Sequence, residues 1–224
     1  MRYFKSVSFL FCFFTALVGQ ANAGQPTITI EYNQNFDSVC SFFRGGTIKE
    51  EWKAELVLRQ REFEDLWKSV APKMIEAREQ ITKKPFPDKH FNARLTLCDL
   101  PSQSLLGIGI NMRYALKSFT QTPVPMRYKV NTLFHELLHK FLAEYPVKDS
   151  LLLKQHNSES ERTKDHLHLF ALQKAVFIKL NETDALKEQI NIDSQLPAGD
   201  YKRAWEIINT TDDEYLKYIA EISQ

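Results

Sequence analysis

The residues of this chain best suited to chemistry stand together as His135-Glu136-Leu137-Leu138-His139. In a helix, positions four apart lie one turn apart on one face, with Cβ atoms about 5–6 Å from each other. Two imidazoles so placed converge on a single ion, at zinc–nitrogen distances of about 2.0–2.1 Å. Glu136, one step along from His135, points to the edge of that face, where a carboxylate reaches a metal-bound water without ligating the metal. That is the position a general base requires. The flanks support a helix with one polar stripe, because Leu133, Phe134, Leu137, Leu138, Phe141 and Leu142 would bury its remaining faces. The plainer reading of the same helix is a core element whose histidines pair with carboxylates.

On this H-E-x-x-H motif and the order of elements around it, residues 93–180 resemble the zincin metallopeptidases. Strands and helices before the motif helix, and helices only after it, point to an α+β fold, and the resemblance implies a small mixed sheet whose edge strand binds substrate. An active-site helix and a mainly helical C-terminal lobe follow. It also implies a zinc ion, a zinc-bound water activated by Glu136, and hydrolysis of peptide bonds in a peptide or protein substrate. The metzincin extension is absent, since Leu142 and Tyr145 occupy the positions of its glycine and third histidine. A module of the same shape that holds metal or a partner without turnover is the alternative. An interaction protein with an accidental motif is a third reading.

A catalytic zinc takes three protein ligands and keeps one open position. Five of the six histidines fall between His135 and His168, so the third ligand is sought downstream. His166 shares a helical stripe with Phe170, Gln173 and Phe177, which favours it as the inward-facing group. His168 lines up instead with Leu172, Ala175 and Lys179. Glutamate-type zincins place a carboxylate about twenty residues after the second histidine; Glu159 has that spacing, and Glu161 with Asp165 reproduces the accompanying four-residue step. His156 fits zincins in which a loop histidine ligates, although Asn157 stands where a glycine usually follows. His135, His139 and His166 with base Glu136 form the preferred set, and His156, Glu159, Glu161 and His168 remain open.

The elements that must position these groups are legible as periodicities. Residues 27–32 alternate as a strand. Residues 47–82 carry helical spacing, with Trp52, Leu56, Leu58, Phe63, Leu66, Trp67, Val70, Met74 and Ile75 as candidate core. Strands are expected at 93–100 and 105–112. The motif helix should run from Pro125 to Glu144, where Pro146 bars continuation. A helix over 165–180 is apolar nearly all round, so it should be buried. Shorter helices are expected at 199–208 and 212–222, the latter with Thr211 and Glu214 as a capping box. Asp37, Arg44 and the charged face of residues 48–65 read as solvent-facing. Among Tyr145, Tyr201, Tyr215 and Tyr218 nothing selects an oxyanion donor.

Composition narrows the remaining possibilities. Lysine and arginine total 29 against 28 acidic residues, too even to argue for a nucleic-acid or anionic-membrane partner. No phosphate-cradling glycine loop and no G-x-S-x-G elbow occur. Arg2 and Lys5 precede an apolar run from Phe9 to Val18, and Ala21-Asn22-Ala23 has the small-x-small pattern that signal peptidase cuts after. Residues 1–23 therefore read as a signal peptide, with a single domain over 24–224 divided into lobes of about 24–145 and 146–224. The expected location is exported, periplasmic or secreted, with no membrane anchor after cleavage. Of the three cysteines, Cys40 and Cys98 survive cleavage, and in an exported chain they should pair. Intact-mass measurement of the exported protein should give a chain beginning at Gly24; retention of residues 1–23 would refute the cleavage site.

Overall fold

The computed structural model describes residues 25–105 and 107–224, so the signal-peptide reading lies outside the described residues. The fold is α+β, with three strands followed by a succession of helices. Strand β1 (Thr27–Tyr32) leads to α1 (Gln34–Arg44), which Asn33 caps by accepting a hydrogen bond from the Phe36 amide at 2.8 Å and which Gly45 ends in the left-handed conformation. Helix α1 exposes Val39, Phe42 and Phe43, which hid it from a search for an apolar stripe. Its cap and its glycine stop were the signals that could have found it.

Helix α2 (Glu50–Thr82) buries Trp52, Leu56, Phe63, Trp67, Met74 and Ile75 along one face. Leu58, expected in that core, is 80% exposed, while Leu66 and Val70 lie at its border. At its far end Arg78 is fully buried, with its guanidinium 4.0 Å from the Phe86 ring centroid and 4.6 Å from that of Phe141, and it donates to the Lys84 carbonyl. Burial lowers its pKa to about 10.

Strands β2 (His90–Thr96) and β3 (Ile108–Asn111) complete a sheet of order β1-β2-β3, and both pairings are parallel. The expected mixed sheet is thus a parallel one. Helices α1 and α2 carry the chain back to the starting edge before β2, and residues 97–107 do so before β3, as parallel neighbours require. The only antiparallel element among the described residues is a bridge between Gln103 and Gly109, which covers the outer edge of β3. Strand β2 begins three residues before the expected 93–100 run and ends four residues early, and β3 is shorter than the expected 105–112 run, because residues 97–107 turn away to form a loop. Asp37, expected in solvent, is 1% exposed; its carboxylate accepts from the Leu97 amide and the Thr96 hydroxyl where β2 ends. A disulfide joins Cys40 to Cys98 beside it.

Helix α3 (Met126–Glu144) carries the motif, and the rest of the chain is helical: α4 (Leu151–Gln155), α5 (Glu161–Lys179), α6 (Thr183–Asp193), α7 (Asp200–Ile208) and α8 (Glu214–Ile222). Helix α5 starts four residues earlier than its apolar run suggested, because Ser160 caps it by accepting from the Thr163 amide at 3.0 Å; such a cap contributes about 1 kcal/mol. The expected capping box at α8 does not form. Asp213 occupies the cap position, and Glu214 donates its amide to the Thr211 carbonyl while its side chain pairs with Lys217. One hydrophobic core runs through both lobes, from Leu56 and Leu95 through Phe134 and Phe170 to Trp205 and Ile222. Among the described residues no helix is long and apolar enough to cross a membrane.

Asp193, at the end of α6, ties three helices together. It accepts hydrogen bonds from Tyr128 of α3 at 2.9 Å, Gln189 of α6 at 3.1 Å and Trp205 of α7 at 2.9 Å. Burial nevertheless outweighs these donors and raises its pKa from 3.8 to about 6. A raised carboxylate pKa contributes stability that is greatest below the unfolded value and is lost as pH rises through the folded one. Between about pH 4 and 6 the protein should therefore lose roughly 3 kcal/mol through this group. In Asp193→Asn that loss should vanish, so urea-unfolding free energies of the two proteins should converge or cross over this interval; parallel curves would refute the assignment.

Candidate metal centre

Three histidines meet where α3 and α5 cross. His135 and His139 project from one face of α3, and His166 projects toward them from the first turns of α5, as its stripe predicted. One ring nitrogen from each lies within 4.8 Å of the others, a spacing that can hold a metal ion. The Nε2 atoms of His135 and His139 are 3.1 Å apart. Tetrahedral zinc with bonds of about 2.05 Å would set two such nitrogens about 3.3 Å apart.

The outer nitrogens decide what the inner ones offer. His166 Nδ1 lies 2.7 Å from the Arg162 carbonyl, which only accepts, so this nitrogen carries the proton. Its Nε2 is left as a lone pair, buried and without a hydrogen-bond partner. His135 Nδ1 faces Gln173 Oε1 at 3.4 Å, which favours the same tautomer and directs Nε2 inward. Burial lowers all three pKa values, that of His139 to about 4, and the neighbouring imidazoles add to the effect on His135 and His139. The three rings are neutral at pH 7, the form that ligates.

Glu136 is 3% exposed and lies outside the histidine triangle, on the wall of a cleft of about 720 Å³ between α3, α6, α7 and the loop after β2. Desolvation raises its pKa to about 8, against the opposing effects of a hydrogen bond from Ser104 and the charge of Lys140. The loop that brings Ser104 there is tied to β3: Asn111 donates to the carbonyls of Cys98 and Leu100, and its amide donates to Ser102. Tyr201 of α7 is the one tyrosine of the four considered that reaches the centre, its ring centroid 4.4 Å from that of His166 and 5.7 Å from that of His135. Burial first, and then the charge of Glu136, hold its hydroxyl in the protonated form.

The other candidate ligands are engaged elsewhere. His168 faces the opposite side of α5 and meets Glu221 of α8 at 2.8 Å. Glu159 pairs with Arg203 at 2.7 Å and Glu161 with Lys164 at 2.6 Å. His156 ends α4 and lies outside the cluster. The sequence reading missed Lys129, which also lines the cleft; a cation two turns before Glu136 on the same helix face was the available signal. A second hollow of about 460 Å³, between β1 and α2, is lined by Gln25, Thr27, Glu64 and Lys68 and contains none of these groups.

Comparison of the chain with protein-family models, with curated proteins and with solved structures gave no match. The geometry of the centre therefore carries the functional argument by itself. If the triangle is the metal site, His166→Ala and His135→Ala should each abolish stoichiometric zinc after dialysis, whereas His168→Ala and Glu161→Gln should retain it. Elemental analysis of the four folded variants decides; one tightly bound zinc in either of the first two would place the site elsewhere.

Proposed function

We propose that this protein is an exported zinc-dependent metallopeptidase of zincin type, with His135, His139 and His166 holding the ion and Glu136 acting as general base. The observation that carries the proposal is the buried, unpartnered Nε2 of His166 in a triangle of neutral imidazoles, next to a carboxylate that does not belong to the triangle. An ordinary core histidine satisfies both ring nitrogens. Here the second nitrogen has a cation's position in front of it. The donor set of three nitrogens leaves a fourth position open, as catalytic zinc sites do. When bound, zinc would polarise the scissile carbonyl and lower the pKa of water toward about 7.

The remaining work falls to the chain. Glu136, on the cleft side, takes the proton of the attacking water and later passes it to the leaving amine. Burial gives the Glu136 carboxylate a strong affinity for the proton it receives, and a metal ion in the triangle would favour its charged form before the proton arrives. The protonated Tyr201 hydroxyl supplies a hydrogen bond to negative charge developing on the carbonyl oxygen. The Cys40–Cys98 bridge is in keeping with an oxidising, extracytoplasmic location.

Glu136→Gln conserves volume and leaves the imidazoles in place, so zinc should remain at one equivalent while hydrolysis of a broad peptide library falls by about 10² to 10⁴. Cleavage by this variant within a few-fold of wild type would remove Glu136 from the mechanism. If wild type itself cleaves nothing, a binding module without turnover becomes the better description.

A further inference from the structure

Lys129 stands on the same face of α3 as Glu136, seven residues earlier, and lines the same cleft. It is 6% exposed, yet its ammonium group has no hydrogen bond and no ion pair among the described residues; its recorded contact is the Tyr128 ring, 5.7 Å away. The acidic groups around the cleft are occupied otherwise. Asp99 pairs with Arg113 at 2.7 Å, Asp193 accepts from Tyr128, Gln189 and Trp205, and Asp200 accepts from Ser160. Glu136 is held by Ser104. Two exposed cleft arginines, Arg44 and Arg162, likewise carry no ion pair among the described residues.

A buried ammonium without a counter-ion is costly and is retained in folded proteins where function requires it. Burial lowers its pKa to about 8, so it is still largely charged at neutral pH. Arg78, the other deeply buried cation, shows the contrast: it stacks on two aromatic rings and donates to a carbonyl, which gives it a structural role. Lys129 has neither a second ring nor a carbonyl as partner among the described residues, and it lines a cavity.

We propose that Lys129 binds a carboxylate of the ligand, which makes the cleft selective for peptides that carry an anionic group close to the scissile bond. This rests on the peptidase reading for the nature of the ligand. Seven helical residues separate Lys129 from Glu136 by about 10 Å along the axis of α3, a length spanned by about three residues of extended peptide. The carboxylate therefore belongs to the chain terminus or to an acidic side chain within about three residues of the bond. The positive end of the α3 dipole, three residues before Lys129, favours the same charge.

Calorimetry on the zinc-loaded mature chain tests this apart from turnover. Three tetra-alanine peptides serve as ligands, all N-acetylated: one with a free C-terminal carboxylate, one amidated, and one amidated with a single glutamate. Wild type should bind at least one carboxylate peptide about 30-fold or more tighter than the neutral amide. Lys129→Met, and Lys129→Gln as a polar control for folding, should reduce that preference to within about 3-fold, and Lys129→Arg should keep it. Whichever carboxylate peptide is preferred identifies the source of the charge. Equal binding of all three peptides, no measurable binding, or a preference undiminished in Lys129→Met and Lys129→Gln would overturn the proposal. Selective binding without cleavage would leave the recognition role standing and defeat the peptidase reading; cleavage without charge preference would do the reverse.

Discussion

The packing of α5 across α3 is the constraint on which the rest of the molecule depends. The two motif histidines are one turn apart on a single helix and make only two corners of a coordination site; the third comes from a helix that begins twenty-two residues after His139. Helix α5 is buried on nearly every side, between α3, α7 and α8, so it cannot slide or rotate without opening apolar surface along its whole length. That immobility makes His166 part of a defined triangle. Ser160, which caps α5, also donates to Asp200 at the start of α7, so the end of the helix that bears His166 is held from two directions.

The electrostatics of the centre follow from this burial. Placing three imidazoles together away from water disfavours protonation of each, and the Arg162 carbonyl and Gln173 hold the protons of His166 and His135 on the outward nitrogens. One ring nitrogen of each then lies within 4.8 Å of the other two, close enough to hold a metal ion. Burial likewise makes the charge of Glu136 expensive and raises its pKa.

Behind the centre the molecule is conventional. Arg78 is clamped between Phe86 and Phe141 on the back of α3, Asp37 closes the end of β2, and Asp193 binds α3, α6 and α7 to one another. Asp37 and Asp193 each accept from several donors, and Arg78 rests on two rings and one carbonyl. His166 Nε2, in the histidine triangle, and the Lys129 ammonium, on the cleft wall, have no hydrogen-bond partner among the described residues.

By itself the sequence determined the local part of this structure. The period of apolar residues placed β1, α2, α3 and α5, prolines bounded the motif helix, and four-residue spacing put His135 and His139 on one face, because all of these depend on neighbours along the chain. Even the inward stripe of α5, and with it His166, was readable from periodicity. Tertiary structure decided the rest. That His168 meets Glu221, that Glu159 and Glu161 pair with cations on the surface, and that Asp37 is buried rather than solvated depend on which distant segments come into contact. The parallel sheet was hidden for the same reason, since strand direction is set by the path of the connections and leaves no mark on the alternation of side chains. Tyr201 was selected from the four tyrosines, and Lys129 became a functional candidate, only through a shared cleft wall, a relation between α3 and α7 that no local pattern encodes.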